Sequence, residues 1–146
     1  IALSRKLNQN PGKVFVVMSD GECDEGTTWE SAMIANHNNL SNLVAIVDRN
    51  RIQSLAGTEE TLKLEPFADK WRAFGWEAIE IDGHNHEQIL NALSRFPSKT
   101  GKPLAIIAHT IKGKGVSFME DDNNWHYRIP TAEEVEKSNI ELKVGT

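Results

Sequence analysis

One stretch, VFVVMSDGECDEGTTWESAMIANHNNLSNLVAIVDRNRIQ, residues 14–53, constrains the fold more than any other. It holds two continuous apolar runs, 14–18 and 43–47, each rich in β-branched residues and of the length and character of strands buried on both faces. Between them Trp29, Ala32, Met33 and Leu40 fall at spacings that suit the buried side of a helix. Strand, helix and strand with short connections make a βαβ unit. Such a unit implies a parallel sheet, a right-handed crossover and an α/β fold with helices on both faces of the sheet.

The polar residues of this stretch fall where such a sheet binds ligands. Asp20 and Gly21 follow the first run, and Asp48 and Asn50 follow the second, so both groups belong at the carboxyl ends of adjacent parallel strands. Asp20 offers a hard anionic oxygen, Asn50 a neutral amide oxygen, and Gly21 a backbone that a phosphate can approach closely. A magnesium ion holding a diphosphate suits this sparse set, because it keeps positions for phosphate and water. Taken singly, an Asp-Gly or an Asn after a strand is an ordinary turn or cap.

The combination is more specific. Asp20-Gly21-Glu22, Glu25-Gly26, Trp29-Glu30 and Asp48-Arg49-Asn50-Arg51-Ile52-Gln53 together resemble the thiamine diphosphate motif of transketolases. That motif opens Gly-Asp-Gly and closes on an Asn about thirty residues later, and here Asp20 and Asn50 stand thirty residues apart. The resemblance implies that Asp20, the Asn50 side chain and the Ile52 carbonyl hold Mg2+, with Gly21 and Glu22 on the cofactor side. It departs at Ser19, where the family has Gly.

Downstream, the pattern predicts a polar loop over 54–61, a helix over 65–74 with Phe67, Trp71 and Phe74 on one side, and a strand over 76–81. A turn at Asp82-Gly83-His84, a helix over 86–96, a loop over 97–103 and a strand over 104–109 follow. Two histidines here, His84 and His86, read as capping or surface residues. Thr110-Ile111-Lys112-Gly113-Lys114-Gly115 is a basic glycine turn whose spacing is not that of a P-loop. By the transketolase resemblance Lys112 lies near the cofactor. The resemblance also sets His126, fourteen residues on, facing the diphosphate and the substrate entrance, where an imidazole donates to phosphate or shuttles a proton. The tail reads as a helix capped by Thr131.

Glu25 and Glu30 by themselves read as a solvated acidic turn at a helix start. The resemblance instead sets them at a subunit interface, in a carboxylate network linking two cofactor sites.

With 146 residues the chain is long enough for one domain, and we read residues 1–146 as a single unit. A net charge of -5 gives no basic footprint for nucleic acid. No apolar run reaches a membrane span, no secretory signal is visible, and Cys23 is the only cysteine, so a cytoplasmic protein is expected. The first residues, 1–7, read as the remainder of a longer helix, so a fold truncated at its N-terminus is expected.

The resemblance covers most of the chain and implies a share in moving a two-carbon ketol unit from a ketose phosphate to an aldose phosphate. The cofactor's aminopyrimidine would be met by a second domain that nothing here resembles. A partner is therefore expected, either a pyrimidine-binding domain or a C-terminal transketolase subunit, in a homodimer or heterotetramer, with this chain inactive alone. Another thiamine diphosphate enzyme, of deoxyxylulose phosphate synthase or 2-oxoacid dehydrogenase type, is the nearest alternative. A noncatalytic assembly subunit rests on Ser19 alone, and a Rossmann nucleotide binder is disfavoured because no G-x-G-x-x-G follows the first run.

Overall fold

The computed structural model describes residues 1–54, 56–97 and 100–143. The elements run α1 (Ala2–Leu7), β1 (Val14–Ser19), α2 (Gly26–His37), β2 (Leu43–Arg49), a single turn α3 (Thr58–Thr61), α4 (Phe67–Ala73), β3 (Glu77–Asp82), α5 (His86–Ser94), β4 (Leu104–His109) and α6 (Ala132–Glu141). All strand pairings are parallel, in the order β1-β2-β4-β3, with Ser19 beside Asp48 and Arg49 beside His109 at the carboxyl ends. The expected α/β architecture is present.

Strand alternation sorts the core into two layers. On one face Ala45, Val47, Ala105 and Ile107 pack under Ala32 and Ala35 of α2 and under Phe67 and Trp71 of α4. On the other, Val44, Leu104 and Ile106 pack against Ala92 of α5 and Phe96. The aromatic side of α4 is as expected: Trp29 lies against Phe67, Trp71 and Phe74, with ring centroids 6.5, 5.4 and 5.1 Å away.

Several expectations are corrected. β1 is not buried on both faces. It is an edge strand, and Phe15, Val16 and Val17 are 48%, 44% and 73% exposed, because nothing pairs beyond it among the described residues. Met33 is exposed too: the small residues Ala32 and Ala35 allow the closest approach to the sheet, and they set the buried stripe of α2. The 54–61 loop contains the turn α3, while Leu55 in it, and residues 98 and 99 of the 97–103 loop, lie outside the described residues. α4 starts at Phe67, later than expected, because Glu65 uses its carboxylate to accept the Phe67 N–H at 2.8 Å. The strand expected over 76–81 is shifted by one residue, Trp76 being buried in the core beneath α2 with its indole N–H on the Ala32 carbonyl. α5 stops at Ser94, two residues before its expected end. α6 carries the capping box of Thr131 and Glu134.

Candidate functional site

Asp20 is the last turn residue before a short 3-10 segment, Gly21–Asp24, and it has no exposed surface. Its Oδ1 accepts the Gly21 N–H at 2.8 Å. Its Oδ2 accepts two donors from the neighbouring strand end, the Arg51 N–H at 2.7 Å and Arg49 Nη1 at 3.1 Å. The loop after β2 is thereby fastened to the end of β1. Arg51 has a φ of 65°, a left-handed turn that brings Asn50 and Ile52 round the same corner, and Asn50 Oδ1 accepts the Ile52 N–H at 2.9 Å. Among the described residues no donor takes the Ile52 carbonyl.

Those groups fit a magnesium ion in chemistry. Asp20 Oδ1 and Asn50 Oδ1 each carry one donor and keep a lone pair, and the Ile52 carbonyl keeps both. One anionic and two neutral hard oxygens leave most of an octahedral shell for phosphate and water.

Arg49 is the residue that sequence reasoning passed over. It ends β2 with its side chain 1% exposed, and its guanidinium is ringed by Asp20, by Thr58 Oγ1 at 2.6 Å, and by Glu59 and Glu65 at 2.9 Å each. Burial alone would lower its pKa, but the hydrogen bonds to Glu65, Asp20 and Glu59 outweigh it and hold the group above its ordinary value. Glu65 is held below the usual carboxylate range, first by the Phe67 N–H and then by Arg49. Cys23, beneath the same turn, is pushed up to about 12 by burial and by Asp20, Glu22 and Asp24.

Two adjoining cavities open at the strand ends, of about 560 and 540 Å³, sharing Asn50, Thr110 and Ile111. The wall of the second also includes His84, Lys112 and Lys114, and the two lysines bring positive charge suited to phosphate. Gly113 lets this wall fold: its φ is 73°, and a Cβ there would lie 2.5 Å from the Met119 carbonyl oxygen. His84, expected at the surface, has its Nε2 accept the Ile111 N–H at 2.8 Å and so closes the 82–84 turn onto the basic turn. Thr110 Oγ1 donates to Asp48.

The predicted residues divide accordingly. Asp20, Gly21, Asn50 and Ile52 come together at one corner, and Lys112 shares a cavity with Asn50. The Gln53 side chain lies over Gly21, where its Cγ would be 3.2 Å from an added Cβ, and it is tied to Asp24 at 2.5 Å. Glu22 is exposed and caps its turn reciprocally with Ser19: the Glu22 N–H donates to Ser19 Oγ at 3.1 Å, and the Ser19 N–H to Glu22 at 3.4 Å. Ser19 has no positive φ, so the position does not require glycine. His126 stands apart from both cavities, exposed in a 3-10 turn with Nε2 3.3 Å from Ser54 Oγ. Glu25 and Glu30 are exposed at the start of α2, and among the described residues neither side chain has a partner.

The oxygen-rich corner and the lysine-lined cavity lie at the carboxyl edge of a parallel sheet, where α/β folds bind their ligands. Residues 6–145 match the model of the family described as transketolase, thiamine diphosphate binding domain, and the chain belongs to that family. It is 44% identical over 138 residues to one of the subunits of the apulose-4-phosphate transketolase of Phocaeicola vulgatus, a match that covers 94% of this chain and 49% of that protein. It is likewise 44% identical over 120 residues to the 6-deoxy-6-sulfo-D-fructose transketolase subunit SqwG of a Clostridium species, covering 82% of this chain and 44% of that one. The chain thus spans about half the length of these curated relatives. The crystal structure of transketolase from Campylobacter jejuni superposes with a TM-score of 0.87 at 26% identity, over 97% of this chain and 23% of that one.

Proposed function

We propose that this chain supplies the diphosphate- and magnesium-holding half of a transketolase site. Joined to a pyrimidine-binding domain or C-terminal subunit, it moves a two-carbon ketol unit from a ketose phosphate to an aldose phosphate. The observation that carries this reading is the corner where the Arg51 N–H fastens Asp20 and Asn50 accepts the Ile52 N–H, beside a cavity lined by Asn50 and Lys112. Both relatives are named as subunits of their enzymes, which supports a two-chain enzyme here, homodimeric or heterotetrameric, with residues 1–146 forming one working domain within it. Its place of work is the cytoplasm, in keeping with one buried free thiol. Among the described residues no helix is long and apolar enough to cross a membrane.

Bound thiamine diphosphate supplies the electron sink of the reaction. The chain's own work is positional and electrostatic. Asp20, the Asn50 amide oxygen and the Ile52 carbonyl hold the magnesium ion, Gly21 and Glu22 border the cofactor, and Lys112 neutralises phosphate charge. His126 donates to phosphate or moves a proton at its imidazole once the 110–126 segment meets substrate. Glu25 and Glu30, unpartnered among the described residues of this chain, form the carboxylate network across the interface with the second protomer.

The test is ketol transfer between a ketose phosphate and an aldose phosphate by this chain, alone and mixed with its complementary subunit. Ketol transfer that appears only in the mixture, requires thiamine diphosphate and Mg2+, and is lost with Asn50→Ala supports the reading. A mixture that binds cofactor yet transfers no ketol unit from any ketose phosphate overturns it.

A further inference from the structure

The two oxygens of Asp20 are not equivalent. Oδ2 accepts Arg49 Nη1 at 3.1 Å and the Arg51 N–H at 2.7 Å, whereas Oδ1 accepts only the N–H of the next residue, Gly21, at 2.8 Å. A carboxylate oxygen with two donors has both lone pairs engaged, so only Oδ1 retains one. The donor that completes this asymmetry is itself rigidly held. Arg49 is 1% exposed, and its fork is fixed by Thr58 at 2.6 Å and by Glu59 and Glu65 at 2.9 Å, with the guanidinium 5.5 Å from the centre of the Phe67 ring. Glu59 in turn accepts the Leu64 N–H at 3.2 Å, so the whole 58–65 segment is wrapped round this one cation.

We infer that Arg49 is a positioning residue that makes Asp20 a one-oxygen ligand and so tunes the site toward a small octahedral cation. Mg2+ demands near-ideal octahedral geometry at short range, and a single carboxylate oxygen suits it. Ca2+ takes more oxygens at longer distances and accepts both oxygens of one carboxylate. With Oδ2 committed to Arg49 and Arg51, the two-oxygen mode is closed to Asp20. The arginine has a second effect: it offsets part of the Asp20 charge, so the corner holds a bare cation weakly and a cation already carrying diphosphate well. Lysine would not substitute, because a point charge lacks the fork that reaches Asp20, Glu59 and Glu65 at once.

This inference rests on the magnesium-holding reading above. Its test is calorimetric titration of thiamine diphosphate into the chain joined to its complementary subunit, in MgCl2 or in CaCl2. The variants are Arg49→Met, Arg49→Lys and Glu65→Gln. Arg49→Met should weaken binding in MgCl2 on the order of tenfold, the usual cost of removing an outer partner from a metal-ligating carboxylate, while binding in CaCl2 is unchanged or improved. Arg49→Lys, which keeps the charge and guards against a variant that fails to fold, should shift the Mg2+ to Ca2+ preference the same way. Glu65→Gln loosens the same network without touching Asp20 and should leave the preference as it was. A merely structural role would weaken both cations by one factor, and that result would overturn the inference while leaving the site reading intact. Failure of the unsubstituted protein to bind thiamine diphosphate with either cation would instead overturn the site reading, and this inference with it.

Discussion

The carboxylate of Asp20 accepts the backbone N–H of Arg51 at 2.7 Å, a bond that ties the end of β1 to the turn following β2. The same carboxylate is the counter-ion of buried Arg49. Removing it takes one of three carboxylate partners from that buried cation, leaving Glu59 and Glu65, and deprives the Arg51 N–H of its acceptor. Asp20→Ala should therefore cost about 1–3 kcal/mol, read as a lower urea midpoint. Asp20→Asn keeps an oxygen for one of the two backbone donors and should cost less.

Gly113 makes the lysine-lined cavity possible. An alanine there would have to hold a φ of 73° with its Cβ 2.5 Å from the Met119 carbonyl oxygen, so Gly113→Ala should lose roughly 1–3 kcal/mol. Calorimetry should also show weaker diphosphate binding, since the wall carrying Lys112 and Lys114 must shift. Unchanged affinity would mean that this wall does not meet the ligand.

The Cys23 thiol, pushed from 9.0 up to about 12 by burial and by the carboxylates around it, should resist alkylation in the folded protein at mildly alkaline pH and react at once after unfolding. A raised folded value adds stability that is whole below the unfolded thiol's own pKa. That contribution is lost as pH rises through about 12.

Glu65 carries the opposite sign. Its folded value is depressed below 4.5 by the Phe67 N–H and by Arg49. Its contribution is therefore present above that ordinary value and disappears as pH falls through the lowered one. Thermal midpoints measured from neutral pH downward should fall less steeply in Glu65→Gln than in the unsubstituted chain.

The βαβ unit, the strand-end positions of Asp20 and Asn50, and the Thr131 cap were legible in the sequence because each depends on residues close along the chain. The burial of Arg49 was not. Its partners Glu59 and Glu65 lie ten and sixteen residues further on, in α3 and just before α4, and only the folded turn shows that the strand's last side chain points inward. The exposure of β1 was equally hidden, since an apolar run reads alike at the middle and at the edge of a sheet until the strand order is known. His84 is exposed, as read, but its bond to the Ile111 N–H was not legible, because that partner lies across the sheet edge. The resemblance named Lys112 and His126 together, yet only Lys112 shares a cavity with Asn50, while His126 stands beside Ser54.

The most direct measurement is calorimetric titration of thiamine diphosphate, with and without Mg2+, into the chain joined to its complementary subunit, using Asp20→Asn and Asn50→Ala as controls. Binding should require Mg2+ and weaken sharply in both variants while their far-ultraviolet circular dichroism stays unchanged. Binding that ignores Mg2+, or that survives both substitutions, would contradict a magnesium-held diphosphate at this corner.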